Sequence, residues 1–108
     1  MDVQINTANS VPGREALIGD IEAAVRDRLS RFEDKLTRIE VHVGDENSPA
    51  KGGGSDMSCV IEARPAGMAP ITVTEQAGSI DQASSRALAK MATALDRAFG
   101  KLSDRKGH

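Results

Sequence analysis

The chain has 108 residues and a mass of 11.4 kDa, the length of one domain and too little for two separate cores. Hydrophobic residues make up 39% and charged residues 28%, which excludes a disordered chain. A formal net charge of −2 excludes nucleic-acid binding through global excess charge, so any such role needs cations gathered on one surface.

A chain of this size buries roughly two-thirds of its unfolded surface, so folding needs neither a disulfide nor a metal. The single cysteine, Cys59, rules out an intramolecular disulfide framework and a CxxC zinc site, and points to a reducing cytoplasm. No apolar run approaches the ~18 residues of a membrane span, and Met1-Asp2-Val3-Gln4 does not read as a signal peptide. With no Trp, no Tyr and two Phe, a base-stacking platform is not expected.

Val3 to Thr7 alternates apolar and polar residues, the period of a half-buried strand. Asn9 to Gly13 breaks that pattern. Leu17, Ile21, Ala24, Val25, Leu29, Phe32 and Leu36 then recur at helical spacing. They predict one long amphipathic helix from about residue 14 to 33–36. In Arg38 to Val43 the period returns to two, with Ile39, Val41 and Val43 on one side. Gly44 to Asp56 reads as a loop. Met57, Cys59, Ile61 and Ala63 share one face of a third strand, and Arg64 to Gly67 reads as a turn. Ile71 to Thr74 is a short fourth strand, paired with the third as a hairpin.

Ser79-Ile80-Asp81-Gln82 has the spacing of a capping box and opens a second helix. Its apolar face holds Ile80, Ala83, Ala87, Leu88, Met91, Leu95, Phe99 and Leu102. Residues 1–102 form the expected domain, and Ser103 to His108 a frayed polar tail. The order β-α-β-β-β-α predicts an α+β two-layer sandwich: a four-stranded sheet with both helices on one face.

Enzyme motifs are lacking. Gly52-Gly53-Gly54-Ser55 has no Gly-Lys-Ser/Thr ending and no following helix, so a flexible turn is the plainer reading. His42, Asp45 and Cys59 are too loosely spaced to argue for a metal, and Cys59 falls in phase with an apolar strand face. No activated nucleophile can be assembled. We expect no catalysis, no cofactor and no metal.

The second helix is more informative. With Arg86 at zero on the helical wheel, Lys90 lies near 40°, Arg97 near 20°, Lys101 near 60° and Arg105 near 100°. The five cations form a stripe along one edge of the apolar face, about 28 Å long. Asp81 and Asp96 project elsewhere. Arg28, Arg31 and Lys35 line a rim of the first helix, with the Arg28 stem laid across the apolar sector. Such residues often only solvate a helix flank. Here the acids fall off the stripe, and no acid stands four residues from its cations to pair with them. Aligned cations of this kind suit a structured RNA recognised by backbone and shape.

Several segments together resemble the ribosome hibernation promoting factors of the RaiA/protein Y type, once called sigma-54 modulation proteins. They are Gln4 to Thr7, Glu15-Ala16-Leu17, Arg38 to Val43 with Asp45-Glu46-Asn47, and Lys51-Gly52-Gly53. Asp56 with Cys59, Glu62-Ala63-Arg64 and Ile80 to Ala83 complete the set. The resemblance runs over nearly the whole chain and implies a fold similar to a double-stranded-RNA-binding domain. It also implies a translation inhibitor of stress and stationary phase. Such a protein binds 16S rRNA of the small ribosomal subunit, in the channel of messenger and transfer RNA. The correspondence places RNA contacts at Arg28, Lys90, Arg97 and Lys101. The sequence departs from the family at Ala98-Phe99-Gly100, where a more basic helix end is usual. Gly100 costs about 1 kcal/mol relative to Ala and marks a point where the helix can end or kink. The length resembles the short class, without a second domain. The competing expectation is a small protein- or RNA-interaction module of the same fold that does not silence ribosomes.

Overall fold

The computed structural model describes residues 1–7, 13–45 and 57–107, the side chains of Asp45 and of 101–107 excepted. The elements are β1 (Asp2–Thr7), α1 (Arg14–Arg28), a 3₁₀ segment (Ser30–Lys35), β2 (Leu36–Asp45), β3 (Met57–Pro65), β4 (Ile71–Ala77) and α2 (Ile80–Gly107). The expected order holds. The glycine-rich turn and most of the Gly44 to Asp56 loop lie outside the described residues, as do residues 8–12.

The sheet runs β1-β2-β3-β4. Because α1 carries the chain back along the sheet, β1 pairs parallel to β2, with Val3 opposite Ile39 and Ile5 opposite Val41. The pairings of β2 with β3 and of β3 with β4 are antiparallel. Period-two alternation places Ile39, Val41, Val43, Cys59, Ile61, Ala63, Val73 and Ala77 on the helix side, all buried. The turn between β3 and β4 falls at residues 66–68, not 64–67. Arg64 and Pro65 stay in the strand, Pro65 at its last position, where the missing N–H costs no interior ladder bond. Gly67 supplies the positive φ of 75° that the turn needs.

Ile21, Val25 and Leu29 from the first helical region meet Ala83, Ala87, Leu88, Met91 and Leu95 of α2 in one core over the sheet. The single long first helix is corrected. The α-helix stops at Arg28, and residues 30–35 tighten to 3₁₀ geometry. Ser30 Oγ donates to the Asp27 carbonyl at 3.1 Å, a local bond that competes with helix propagation. The tighter turn carries Phe32 into the core and lets Leu36 start β2, with both side chains buried. At the other end, α2 continues through Gly100 and the expected tail to Gly107. A single glycine among good helix formers does not stop it.

Candidate nucleic-acid interface

α2 begins as its sequence predicts: Ser79 Oγ accepts the Gln82 backbone N–H at 3.1 Å. The buried face of this helix leaves two rims, one toward β4 and one toward α1. Each rim carries cations.

On the β4 rim, Lys90 Nζ lies 2.9 Å from Glu75 Oε2 and 3.5 Å from the Thr74 carbonyl oxygen. Glu75 shares its strand phase with Val73 and Ala77, so an acid stands on the otherwise apolar side of β4, at the sheet edge. Arg86 and Arg97 flank Lys90 on the same rim. Both are exposed, and neither forms an ion pair among the described residues.

On the α1 rim, Arg28 Nη2 donates to Ser85 Oγ at 3.3 Å. Arg31 Nη2 reaches Asp96 Oδ2 at 2.8 Å, and its guanidinium carbon lies 4.6 Å from the centroid of the Phe32 ring. Lys35 Nζ sits 5.0 Å from the Phe99 centroid, and the two phenylalanine rings are 5.8 Å apart. The only two aromatic residues of the chain thus form one cluster, each ring under a cation.

This geometry corrects one expectation, that the cations lack acidic partners. Arg31 and Lys90 have acidic partners, because the acids that meet them come from other elements and not from four residues along one helix. The cations of the first helical region lie on the rim opposite Arg86, Lys90 and Arg97. Arg28 extends its guanidinium outward to Ser85 of α2. The side chains of Lys101 and Arg105 lie outside the described residues.

Sequence reasoning missed Glu75 and Ser85. An acid in the apolar phase of β4 is a usable signal for the first, once the strand is extended past Thr74. No local signal marks Ser85, whose partner is 57 residues away.

The other sheet face offers little free charge. Arg38 lies 3.4 Å from Glu40, and Arg64 lies 3.8 Å from Glu40 and 3.2 Å from Glu62. His42 is on that face, while Cys59, paired with Val43, is on the other, so the two cannot share a metal. No group of three or more His, Cys, Asp or Glu suited to a metal occurs among the described residues. Burial pushes the Cys59 thiol up to about 12, as expected for a small core residue. No helix among the described residues is long and apolar enough to cross a membrane.

The fold matches solved structures over nearly the whole chain. One is the N-terminal domain of Thermus thermophilus Protein Y, with TM-score 0.71 and 18% identity, covering 90% of this chain and 98% of that one. Another is a ribosomal subunit interface protein from Coxiella burnetii, with TM-score 0.65 and 11% identity, covering 93% and 99%. At these identities the likeness establishes the fold, and it agrees with the family that the sequence resembles. No family model and no curated protein matches the chain.

Proposed function

We propose that this domain binds the small ribosomal subunit through 16S rRNA and restrains translation by occupying the channel of messenger and transfer RNA. The observation that carries the reading is the gathering of Arg28, Arg31, Lys35, Arg86, Lys90 and Arg97 along the two rims of one helix. They do so in a fold shared with a ribosomal subunit interface protein. The overall acidity is no obstacle, because phosphates respond to the local field and not to net charge.

The Arg31–Asp96 pair is exposed and the Lys90–Glu75 pair partly so, each worth about 0–1 kcal/mol, so a phosphate can replace the carboxylate at small cost. In the sequence, Lys101 and Arg105 continue the series of cations begun by Arg86, Lys90 and Arg97. Binding of this kind blocks access and breaks no bond, so it needs no catalytic residue or cofactor. The place of action is the cytoplasm, and the setting is stress or stationary phase.

The test is co-sedimentation of the purified protein with 30S and 70S particles across a salt series, beside a cell-free translation assay. We expect pelleting with 30S subunits that weakens steeply with salt, and inhibition of translation. Absence from the ribosomal pellet at low salt would overturn the proposal.

A further inference from the structure

One geometry occurs twice on α2. Ser85 accepts from Arg28 and is followed by Arg86; Asp96 accepts from Arg31 and is followed by Arg97. The two pairs are eleven residues apart, three helical turns with about 20° to spare. They therefore stand in phase, about 16 Å apart along the axis. At each level one arginine arrives from the α1 side, and the other starts about 100° further round, toward β4. Four guanidinium groups frame the outward back of α2, two on each rim.

Between the rims lie Gln82, Ala89, Thr93 and Gly100, all exposed. Three are small, and a Cβ added at Gly100 would meet nothing within 4 Å. A broad partner can approach this back closely. Its edges carry the charge.

We infer that α2 engages a double-helical segment of RNA, its outward back against the shallow minor groove and its two rims contacting the phosphates of opposite strands. The inference rests on the rRNA-binding reading above and specifies the form of RNA that this site takes. A single strand follows one rim. Two rims separated by the width of a helix, about 10–12 Å with its side chains, need two backbones to be satisfied together. A-form RNA presents a wide, shallow minor groove, whereas its major groove is too deep and narrow for a helix. The back of α2 carries no aromatic side chain, which fits recognition of shape and not of unstacked bases. Asp96 on one rim and Glu75 beside the other already hold Arg31 and Lys90. Asp81 lies on the α1 rim near Arg28 and Ser85. These acids repel a phosphate that does not fall on a cation, which favours a fixed strand spacing.

The experiment measures affinity for a 20-base-pair RNA duplex and for one of its isolated strands, over a salt series. It uses the full chain and the variants Arg28→Gln, Arg86→Gln, Arg28→Lys and Arg86→Lys. We expect at least tenfold tighter binding to the duplex. Each Gln variant lowers the log–log salt slope on the duplex by about one, and the lysine variants keep it. On the isolated strand, only one rim affects the slope. Equal affinity for duplex and strand overturns the inference, as does a duplex slope that responds to one rim only. Co-sedimentation with 30S subunits in parallel separates the two ideas: ribosome binding without duplex preference defeats the duplex geometry alone.

Discussion

Arg31 and Asp96, 65 residues apart in sequence, meet at 2.8 Å and tie the 3₁₀ segment to the C-terminal half of α2. The same arginine stacks on Phe32, whose ring touches Phe99 of α2. The salt bridge is more than half exposed on both sides, at 60% and 52%, while Phe32 is buried. The apolar contact therefore sets the position of the segment. The ion pair orients one cation at its edge.

Replacing Asp96 tests that division. Asp96→Asn is expected to change stability by less than about 1 kcal/mol, as for other exposed pairs. It should also tighten ribosome binding at low salt, because it frees Arg31 and removes a negative charge from the rim. Circular dichroism melts and 30S pelleting measure the two effects. A loss above about 2 kcal/mol would make the pair, and not Phe32, the main support of the segment.

Glu75→Gln should act in the same way on the opposite rim. Lys90 loses its carboxylate partner and gains freedom to meet phosphate, so affinity for any RNA at low salt should rise several-fold. Discrimination between rRNA and an unrelated duplex should fall, because the acid no longer repels misplaced phosphates. Competition binding with both RNAs reads this directly. Unchanged discrimination would show Glu75 to be a bystander.

Lys90→Glu combined with Arg97→Glu should abolish co-sedimentation with 30S subunits while the domain stays folded. The exchange changes local charge by four units on one rim, and glutamate is as good a helix former as lysine or arginine. A new glutamate at 90 faces Glu75 across a partly exposed gap, so a destabilisation of up to about 1 kcal/mol is expected in the melt. Lys90→Gln with Arg97→Gln avoids that repulsion and should still weaken pelleting strongly. Parent-like pelleting by both variants would move the binding surface elsewhere.

Cys59 gives a prediction about pH. Its folded pKa of about 12 stands above the ordinary thiol value of 9.0, because burial disfavours the thiolate. Above pH 9 the unfolded chain releases this proton and the folded chain keeps it, so the Cys59 contribution lowers stability as pH rises toward 12. Cys59→Ser should remove that contribution. It should also lower stability at neutral pH by about 1–2 kcal/mol and leave RNA binding intact. Denaturant melts of both proteins at pH 8 and 10 measure the difference in slope with pH. Equal pH dependence in the two would contradict the buried thiol.

The sequence by itself determined which residues face the core. The phases of Ile39-Val41-Val43 and of Ala83-Ala87-Leu88-Met91-Leu95 are local properties, set by side-chain direction in a strand or a helix. The element order follows, and with it the two-layer sandwich. The identity and rim of the α2 cations could also be read locally, since a helical wheel needs no neighbour.

Only the tertiary structure decided what those cations meet. Lys90 finds Glu75 because α2 packs over the hairpin, and Arg31 finds Asp96 because Phe32 draws the 3₁₀ segment against Phe99. The end of α1 at Arg28 belongs to the same class. Helical periodicity runs on through Phe32, but burying that ring and turning into β2 needs the tighter 3₁₀ path. Partner choice across tens of residues depends on strand order and on the docking of each helix against the sheet. Those are properties of packing, which no window of local periodicity contains.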